Sequence, residues 1–402
     1  MKNVPNLRFK EFSGEWEYKL LSSFATKITQ KNGDYKVTNV ISNSAKNGLV
    51  SQKDYFDKDI ANQENINGYY VINNGDFVYN PRKSNESPYG PINRFSSTEA
   101  GVVSPLYLCF SVNCEVNDRY LEYYFKSSKW YQFIYKNSDQ GARHDRVSIR
   151  DAEFFKMKLN IPNYQEQEKI ASFFSLIDKK IELQTEKVEE LKNYKKGIMQ
   201  KIFSQELRFK DENGNDYPKW KVIKLSKVLT ERKTYAEKDG KYPHVTLSKD
   251  GIYDKGERYD RDFLVKTEDK KYKITHRGDI CYNPANLKFG VICRNDFGDA
   301  IFSPIYVTFE INKDVDSNYM GYYLTRWDFI NKVRKYEEGT VYERMAVKPE
   351  DFLKFNINLP NIREQKKISN FLNKIDSKIE FEKKKLEFLT AYKKGLLQQM
   401  FI

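Results

Sequence analysis

The stretch Ile161-Pro-Asn-Tyr-Gln-Glu-Gln167 returns later in the chain as Leu359-Pro-Asn-Ile-Arg-Glu-Gln365. Both stretches lie inside a longer repeat, because residues 141–203 align with residues 339–401 without a gap and 26 of the 63 positions are identical. A repeat of this length predicts that the two halves of the 402-residue chain fold alike.

Shorter matches extend the repeat towards the start of each half. They are Leu7-Arg-Phe-Lys10 with Leu207-Arg-Phe-Lys210, Gly75-Asp76 with Gly278-Asp279, Tyr79-Asn-Pro81 with Tyr282-Asn-Pro284, and Ser104-Pro105 with Ser303-Pro304. The offset between the matched pairs drifts along the chain. Each half therefore joins a variable globular part to a constant tail.

The constant tails have the apolar spacing of a coiled-coil seam. Its apolar positions include Ile170, Ile177, Ile181 and Leu191 in the first tail and Ile368, Ile375, Ile379 and Leu389 in the second. Asn163 and Asn361 can cap the first turn, and Glu166 and Glu364 can complete a capping box. Each tail is predicted to be one long amphipathic helix, and two such helices pair most simply in an antiparallel arrangement.

Polar residues interrupt both predicted seams, at Gln184 and Lys195 in the first tail and at Glu382 and Lys393 in the second. Buried polar seam residues cost stability but fix the register of paired helices. The alternative is that these positions are simply hydrated. The sequence favours neither interpretation.

The globular parts are predicted to have a mixed α+β fold with many short strands. Runs rich in β-branched and aromatic residues, among them 69–72, 77–79, 106–110 and 305–309, are typical of strands. Residues 119–135 and 317–336 are predicted to be helical. The expected organisation is a globular domain at 1–162, a spacer helix at 163–203, a second globular domain at 204–360 and a second spacer helix at 361–402.

Charge favours a polyanionic partner. The chain has 69 Lys plus Arg against 56 Asp plus Glu, a net charge of +13, which favours nucleic acid ahead of a membrane surface. No apolar run is long enough for a membrane span, so we expect a cytoplasmic protein. The four cysteines are too few and too scattered for a disulfide framework and are predicted to be core thiols.

Two polar loops in each half are the candidates for nucleic-acid contact. Their Arg and Lys side chains suit phosphate or guanine, and their Asn side chains suit adenine. In the first half the candidates are Asn80, Arg82, Lys83, Asn85, Arg94, Arg143, His144 and Arg146, and in the second half Asn283, Asn286, Lys288, Tyr342 and Arg344. For any single lysine among them, an ordinary solvated turn residue is the favoured alternative. For the whole set, the repetition, the placement in loops and the positive charge together favour nucleic-acid contact.

The repeat divides these candidates into two groups. Arg146 and Arg344 occupy equivalent positions, which favours a contact with the DNA backbone or a structural ion pair. Arg143 and His144, which align with Val341 and Tyr342, differ between the halves and are the better candidates for base readout. Different loops on equivalent scaffolds predict different half-sites.

Sequence signatures of catalysis are missing. No two of the 19 glycines stand at i and i+2, and the chain has no Gly-Lys-Ser/Thr phosphate loop and no Cys-x-x-Cys. Tyr79-Asn-Pro-Arg82 lacks the second proline and the aromatic residue of an adenine methyltransferase motif. His144 beside Asp145 is a weak candidate for a general-base pair. We expect no turnover, no bound metal and no cofactor in this chain.

Taken together, the doubled landmarks resemble the specificity subunits of type I restriction-modification enzymes. These landmarks are the Leu-Arg-Phe-Lys entries, Trp16 and Trp220, the Gly-Asp and Ser-Pro pairs, the Pro-Asn-x-x-Glu-Gln stretches and the Tyr-Lys-Lys-Gly helix ends at 194–197 and 392–395. The resemblance covers essentially the whole chain. It implies two target recognition domains that read the halves of an asymmetric, interrupted site in double-stranded DNA.

The resemblance also implies partners. The helices would act as a ruler and as the dock for two modification subunits, and two restriction subunits would complete the assembly. S-adenosylmethionine, ATP and Mg²⁺ would belong to those partners. Three other classes stay open on the residues alone: an enzyme acting by itself, a coiled-coil scaffold without sequence preference, and a stand-alone tandem DNA-binding regulator.

Overall fold

The computed structural model describes residues 3–33, 35–52, 63–139, 145–236, 241–255, 271–336 and 346–402. The chain divides into two units, of which the first comprises Met1–Lys187 with Glu382–Ile402 and the second comprises Val188–Phe381. Each unit therefore contains one globular part together with segments of both predicted helices.

The described strands of the first unit are short. They are β1 (Glu17–Leu20), β2 (Ala25–Lys27), β3 (Ile41–Ser44), β4 (Gly48–Ser51), β5 (Tyr70–Ile72), β6 (Phe77–Tyr79), β7 (Ile92–Arg94), β8 (Gly101–Val103), β9 (Leu108–Val112) and β10 (Lys158–Ile161). They pair in the orders β2-β9-β6-β7, β1-β10, β3-β4 and β5-β8, and every pair is antiparallel.

The second unit repeats this topology. Its described strands are β11 (Lys221–Lys224), β12 (Leu229–Glu231), β13 (Tyr235–Ala236), β14 (Val245–Ser248), β15 (Gly251–Asp254), β16 (Tyr272–Thr275), β17 (Ile280–Tyr282), β18 (Ile292–Arg294), β19 (Ala300–Phe302), β20 (Val307–Ile311) and β21 (Asn356–Leu359). The orders β12-β20-β17-β18, β11-β21, β14-β15 and β13-β16-β19 match those of the first unit, with β13 as an additional edge strand.

Two long helices span Tyr164–Phe203 and Ile362–Met400, which confirms the predicted helical tails. The shorter helices within the described ranges are Leu21–Phe24, Asp118–Lys126, Tyr131–Asn137 and Asp151–Phe154 in the first unit, and Ser317–Leu324, Trp327–Val333 and Pro349–Leu353 in the second. Turns of 3-10 helix occur at Gln63–Gly68, Leu225–Lys227, Pro284–Phe289 and Arg334–Tyr336.

The helices predicted at 119–135 and 317–336 are each interrupted. Ser127 ends the first helix in an extended conformation and its hydroxyl donates to Tyr124 O at 2.6 Å. Thr325 donates in the same way to Gly321 O at 2.8 Å, and Arg326 is extended. A hydroxyl side chain that donates to a preceding backbone carbonyl competes with the hydrogen bonds of the helix. Both hydroxyl residues lie within the apolar spacing that predicted continuous helices.

The two strands predicted to begin at Leu106 and Ile305 start two residues later, at Leu108 and Val307. A hydrogen bond from Tyr107 N to Ser104 O, at 3.0 Å, closes a turn that contains Pro105 and Leu106. Proline favours such turns and disfavours central strands. The same turn is closed in the second unit by Tyr306 N and Ser303 O, at 3.1 Å.

Aromatic stacking holds equivalent elements together in both units. Tyr79 stacks on Phe154 in the first unit with ring centroids 5.2 Å apart, and Tyr282 stacks on Phe352 in the second at 5.0 Å. All four rings are almost completely buried. Burial of rings this large contributes much of the apolar driving force in each core.

The repeated motif Pro-Asn-x-x-Glu-Gln is a junction between three segments. Asn163 Oδ1 accepts from Glu166 N at 2.9 Å and Asn361 Oδ1 accepts from Glu364 N at 3.1 Å, so both predicted caps are present. The glutamates hold the Leu-Arg-Phe-Lys entries: Arg8 and Glu166 approach to 2.7 Å, and Arg208 and Glu364 to 2.8 Å. The predicted capping-box role of the glutamates is therefore replaced by an ion pair with arginine.

The glutamine of the motif fixes the next element. Gln167 accepts from Asn117 N at 2.8 Å and donates to Pro162 O, and Gln365 accepts from Asp316 N at 2.9 Å and donates to Pro360 O. Asn117 and Asp316 in turn cap the helices that follow them. A six-residue motif thus sets the strand, the long helix and the short helix of each unit.

Of the four cysteines, which are free thiols, Cys109 and Cys281 are buried and Cys293 is half-buried. Cys114 is exposed, so the prediction of a core thiol is wrong at this position. It follows Asn113 directly after β9 and lies outside the packed sheet. Among the described residues, no helix combines the length and the apolarity that a membrane crossing requires.

Candidate nucleic-acid interface

The two polar loops predicted separately in the first half lie side by side. Val147 N donates to Pro81 O at 2.8 Å, and Lys83 N donates to Asp145 O at 2.9 Å. Arg82 and Arg146 form an antiparallel bridge between these two bonds. The chain therefore brings two cationic residues together that are far apart in sequence.

The loop after β6 is held in place from within. Asn80 donates to Asn43 O at 3.0 Å and accepts from Arg82 N at 3.0 Å, so both ends of its amide position the loop. Gly90 closes the loop with a positive φ of 80°, and a Cβ there would stand 2.1 Å from Asn80 O. Only glycine fits this close approach.

These elements surround an open cleft of about 420 Å³ in the first unit. Its lining residues are Ser42, Asn43, Ser44, Ala45, Val50, Asn80, Pro81, Arg82, Lys83, Ser84, Pro91, Ser104, Leu106, Tyr107 and Arg146. Three of them carry a positive charge and none carries a carboxylate. A cleft of this kind attracts polyanions, because none of its described lining residues is an acid that would offset the cations.

Asn43 is a cleft residue that the sequence analysis missed. Only 4% of it is exposed, and its amide donates to Val78 O at 2.7 Å and accepts from Asn93 at 2.7 Å. An asparagine at a buried position of an alternating strand is costly unless its amide is satisfied. That pattern, Ile41-Ser-Asn-Ser44, was the available signal.

The other predicted residues of the first half have different fates. Asn85 is exposed in the turn between Ser84 and Ser87. Arg94 is directed elsewhere, since its guanidinium lies 2.6 Å from Asp118 and only 8% of its side chain is exposed, and we assign it a structural role. Arg143 and His144 lie outside the described residues.

The equivalent loop of the second unit has another conformation. Residues Pro284–Phe289 form a 3-10 turn that Asn283 caps by accepting from Ala285 N at 3.1 Å. Asn283 is buried, whereas Asn286 and Lys288 are half-buried, and the Lys288 ammonium lies 5.4 Å from the Phe289 ring centroid. Tyr342 and Arg344 fall outside the described residues.

This turn borders a wider groove of about 710 Å³ in the second unit. Phe289 and Trp327, exposed by 60% and 55%, line it together with Lys249 and Arg294. Burial lowers the pKa of Arg294, which also donates to Ser317 at 3.1 Å. Unlike the cleft of the first unit, this groove also contains acids, among them Asp250. The two units thus present different surfaces on the same scaffold.

The predicted seam residues are mostly interior. Ile170, Ile368, Ile375, Ile379 and Leu389 are buried, and Ile177, Ile181 and Leu191 are half-buried. In the first unit, Phe174 stacks on Phe401, Asp178 pairs with Lys393, and Gln184 donates to Glu382 at 2.7 Å. As residue numbers rise along the first long helix, the numbers of their partners on the second long helix fall. The two helical segments of the first unit therefore run antiparallel.

The polar seam positions are paired side chains. Gln184 and Glu382 are 6% and 5% exposed, and Lys187 also contacts Glu382 at 2.5 Å. In the second unit Lys195 pairs with Asp376 at 2.6 Å. Register is therefore specified by hydrogen bonds as well as by apolar contact, which favours the first of the two interpretations of the interrupted seam.

The outer faces of the helical segments keep apolar side chains in solvent. In the first unit these are Leu176, Leu183, Phe388 and Tyr392, and in the second Tyr194 and Phe381. Each is at least half exposed. Within the described ranges, no three His, Cys, Asp or Glu side chains come together in a way that could hold a metal ion.

Comparison with known proteins agrees with this architecture. Residues 15–193 and 217–391 both match the type I restriction modification DNA specificity domain. Two relatives from Methanocaldococcus jannaschii, the type I restriction enzyme MjaX and MjaVIII specificity subunits, are each 25% identical, over 297 and 301 residues. The matches cover 69% and 68% of this chain, and 65% and 68% of the two relatives.

Solved structures show the same fold. The S subunit of a type I restriction-modification system from M. genitalium has a TM-score of 0.54 at 14% identity, with 99% of both chains covered. A chain from work on complex assembly and conformational transition of the type I R-M system has a TM-score of 0.57 at 12% identity, covering 98% of this chain and 99% of that one. Because the domain match occurs twice and spans most of the sequence, the chain belongs to the type I restriction modification DNA specificity family.

Proposed function

We propose that this chain is the sequence-reading subunit of a type I restriction-modification complex. In this proposal it recognises an asymmetric, interrupted site in double-stranded DNA and carries out no reaction itself. The observation that carries the proposal is the first unit's cleft, whose described lining residues include three cations and no carboxylate, on a scaffold repeated in the second unit with a different loop.

Recognition has two components in this proposal. Arg82, Lys83 and Arg146 bind phosphates and release counterions, which gives affinity that falls with salt. Loop residues then contact base edges in the major groove. Residues 1–162 and 204–360 would be the two target recognition domains, and each would read one half-site.

The spacer segments 163–203 and 361–402 would set the gap between half-sites and hold the partners. Their buried seam residues are already engaged, so the surface available to two modification subunits is the exposed apolar set that includes Leu183 and Phe388. Exposed apolar side chains on a helix are typical of protein interfaces. S-adenosylmethionine, ATP and Mg²⁺ would bind to the modification subunits and to two restriction subunits, in the cytoplasm.

Exchange of one loop tests this proposal. Wild-type chain and a variant carrying Arg143→Val, His144→Tyr and Asp145→Glu would each select duplexes from a randomised library, with and without modification subunits. We expect two conserved half-sites for the wild type, and a changed preference in only one of them for the variant.

Two outcomes would contradict the proposal. A wild-type chain that selects no sequence in either condition would be a scaffold. A variant that changes both half-sites equally would show that the units do not read independently. A stand-alone regulator, the alternative, would select the same site but would bind no modification subunit.

A further inference from the structure

Leu106 and Ile305 are exposed to the same extent at equivalent positions. Each is 63% exposed, although each lies next to a buried strand of the central sheet of its unit. They belong to the matched stretches Ser104-Pro-Leu-Tyr107 and Ser303-Pro-Ile-Tyr306. A single exposed leucine needs no explanation. An exposed aliphatic side chain at the tip of the same turn in both units does need one, and Leu106 and Ile305 are called the aliphatic tips below.

The turns hold these side chains outward. Tyr107 N and Tyr306 N close the turns on Ser104 O and Ser303 O, and Leu106 N also donates to the Ser104 hydroxyl at 3.3 Å. The tyrosines that follow pack against small apolar clusters, and Tyr306 bonds Thr246 at 3.3 Å. Proline and an anchored tyrosine on either side leave the aliphatic residue few conformations.

The surroundings indicate what the tip contacts. Leu106 lines the same cleft as Arg82, Lys83 and Arg146. Burial raises the pKa of Tyr107, while Arg82 and Arg146 are close enough to act on it in the opposite direction. The part of this cleft that the structure describes has three cations and no carboxylate. A protein partner would have to bring its own acids to it, whereas DNA supplies phosphates and an apolar base stack together.

We propose that Leu106 and Ile305 are wedges that press against the base stack, one in each half-site, and open it locally. This inference rests on the proposed function. Aliphatic side chains inserted at base steps unstack them and kink the duplex, and chemistry on a base requires the base to leave the stack. Because both tips are aliphatic and occupy the constant frame, they serve the same distortion in both halves, not the choice of bases.

Fluorescence of 2-aminopurine provides the test. The duplex that wild-type chain selects would carry 2-aminopurine at successive purine positions in each half-site, and emission would be recorded on binding by Leu106→Ala, Ile305→Ala and wild type. We expect an emission rise in both half-sites for wild type. Each alanine variant should lose the rise in one half-site only and bind roughly tenfold more weakly, with an unchanged salt dependence.

Two controls make the result specific. Leu106→Ile keeps an aliphatic tip and should retain the emission rise. Leu20→Ala removes an exposed leucine from β1 in the same unit and should behave as wild type in this assay. Unchanged melting temperatures would show that the exposed substitutions leave the fold intact.

The outcomes separate this inference from the proposed function. If wild-type chain selects a site but no 2-aminopurine position brightens, or if both alanine variants retain the full rise, the wedge is overturned while sequence reading stands. If wild type selects no site, the proposed function itself fails and the wedge falls with it.

Discussion

Lys195 Nζ lies 2.6 Å from Asp376 Oδ1, and the repeat reproduces this ion pair in the other unit as Lys393 with Asp178. A tyrosine of the neighbouring short helix completes each group, since Tyr322 donates to Asp376 at 2.6 Å and Tyr123 to Asp178 at 2.9 Å. Each unit thus joins both helical segments to its globular part through one carboxylate.

Asp178→Asn should destabilise the first unit by about 2 kcal/mol, because the half-buried Lys393 loses its charged partner. Burial already lowers the pKa of Lys393, so without Asp178 its folded pKa falls further below the unfolded value. The folded state then binds fewer protons than the unfolded state, and the loss of stability should diminish as the pH rises into the alkaline range. Urea unfolding at several pH values measures this, and a loss that grows with pH would contradict it.

Phe401→Ala should destabilise the first unit by about 3 to 5 kcal/mol. Phe401 is completely buried, with ring centroids 5.4 Å from Tyr120 and 5.9 Å from Phe174. Phe203→Ala is the matched change in the second unit, where the ring centroids of Phe203 and Tyr319 are 5.6 Å apart. Hydrogen exchange should locate each loss in its own unit. Equal loss of protection in both units for either variant would show that the units do not unfold separately.

Arg82→Ala should weaken DNA binding and reduce the slope of log K against log salt by roughly 0.9, the contribution of one phosphate contact. Lys179→Ala, at an exposed helix position paired with Glu182 at 2.8 Å, is the matched removal of one charge outside the cleft. Its slope should remain that of wild type. Titrations at four salt concentrations measure both, and identical slopes for all three proteins would remove Arg82 from the interface.

Asp76→Asn and Asp279→Asn should have opposite effects on stability at neutral pH. Burial raises the pKa of Asp76, so its ionised form costs stability once the pH exceeds the unfolded pKa. Replacement by Asn should therefore stabilise the first unit at pH 7 and have little effect in acid. Asp279 is buried and pairs with Arg232 at 2.9 Å, and replacing it leaves the arginine without its charged partner, which should be clearly destabilising. Urea unfolding of both variants at pH 7 and pH 4 measures whether each substitution raises or lowers the free energy of unfolding.

Removing four residues from each long helix, Thr185–Val188 and Lys383–Leu386, should change the gap between half-sites but not the half-sites. The deleted segments are equivalent in the repeat and correspond to about one helical turn. Duplex selection by the deletion variant measures the gap. If the selected gap stays that of wild type, the helices do not determine it.

Equivalence between the halves was the strongest signal in the sequence. It predicted both long helices and their caps, and it marked Lys195 and Lys393 as special positions. It could not predict that Glu166 would bind Arg8, because residues this far apart in sequence meet only through the fold. An ion pair between residues that are distant in sequence leaves no periodic pattern in the local sequence from which it could be predicted.

The candidate interface was predicted less completely. Arg82 and Arg146 were identified, but their adjacency depends on main-chain bonds between two distant loops. Arg94 pairs with Asp118, and an arginine in a polar stretch of sequence gives no sign of such a partner. Leu106 was assigned to a strand because the run 106–110 has the composition of a strand. Only the turn between Ser104 and Tyr107 separates Leu106 from the strand that follows.

The membership of Glu382–Ile402 in the first unit has a consequence for biosynthesis. During translation the ribosome synthesises all of Val188–Phe381 before it adds Glu382–Ile402, the segment that the first unit still lacks. At about 5 to 20 residues per second, this delay lasts on the order of 10 to 40 s. The half that is translated first is therefore the last to complete its core, and during that interval it depends on chaperones or on its own partial structure to shield Phe174 and Tyr120.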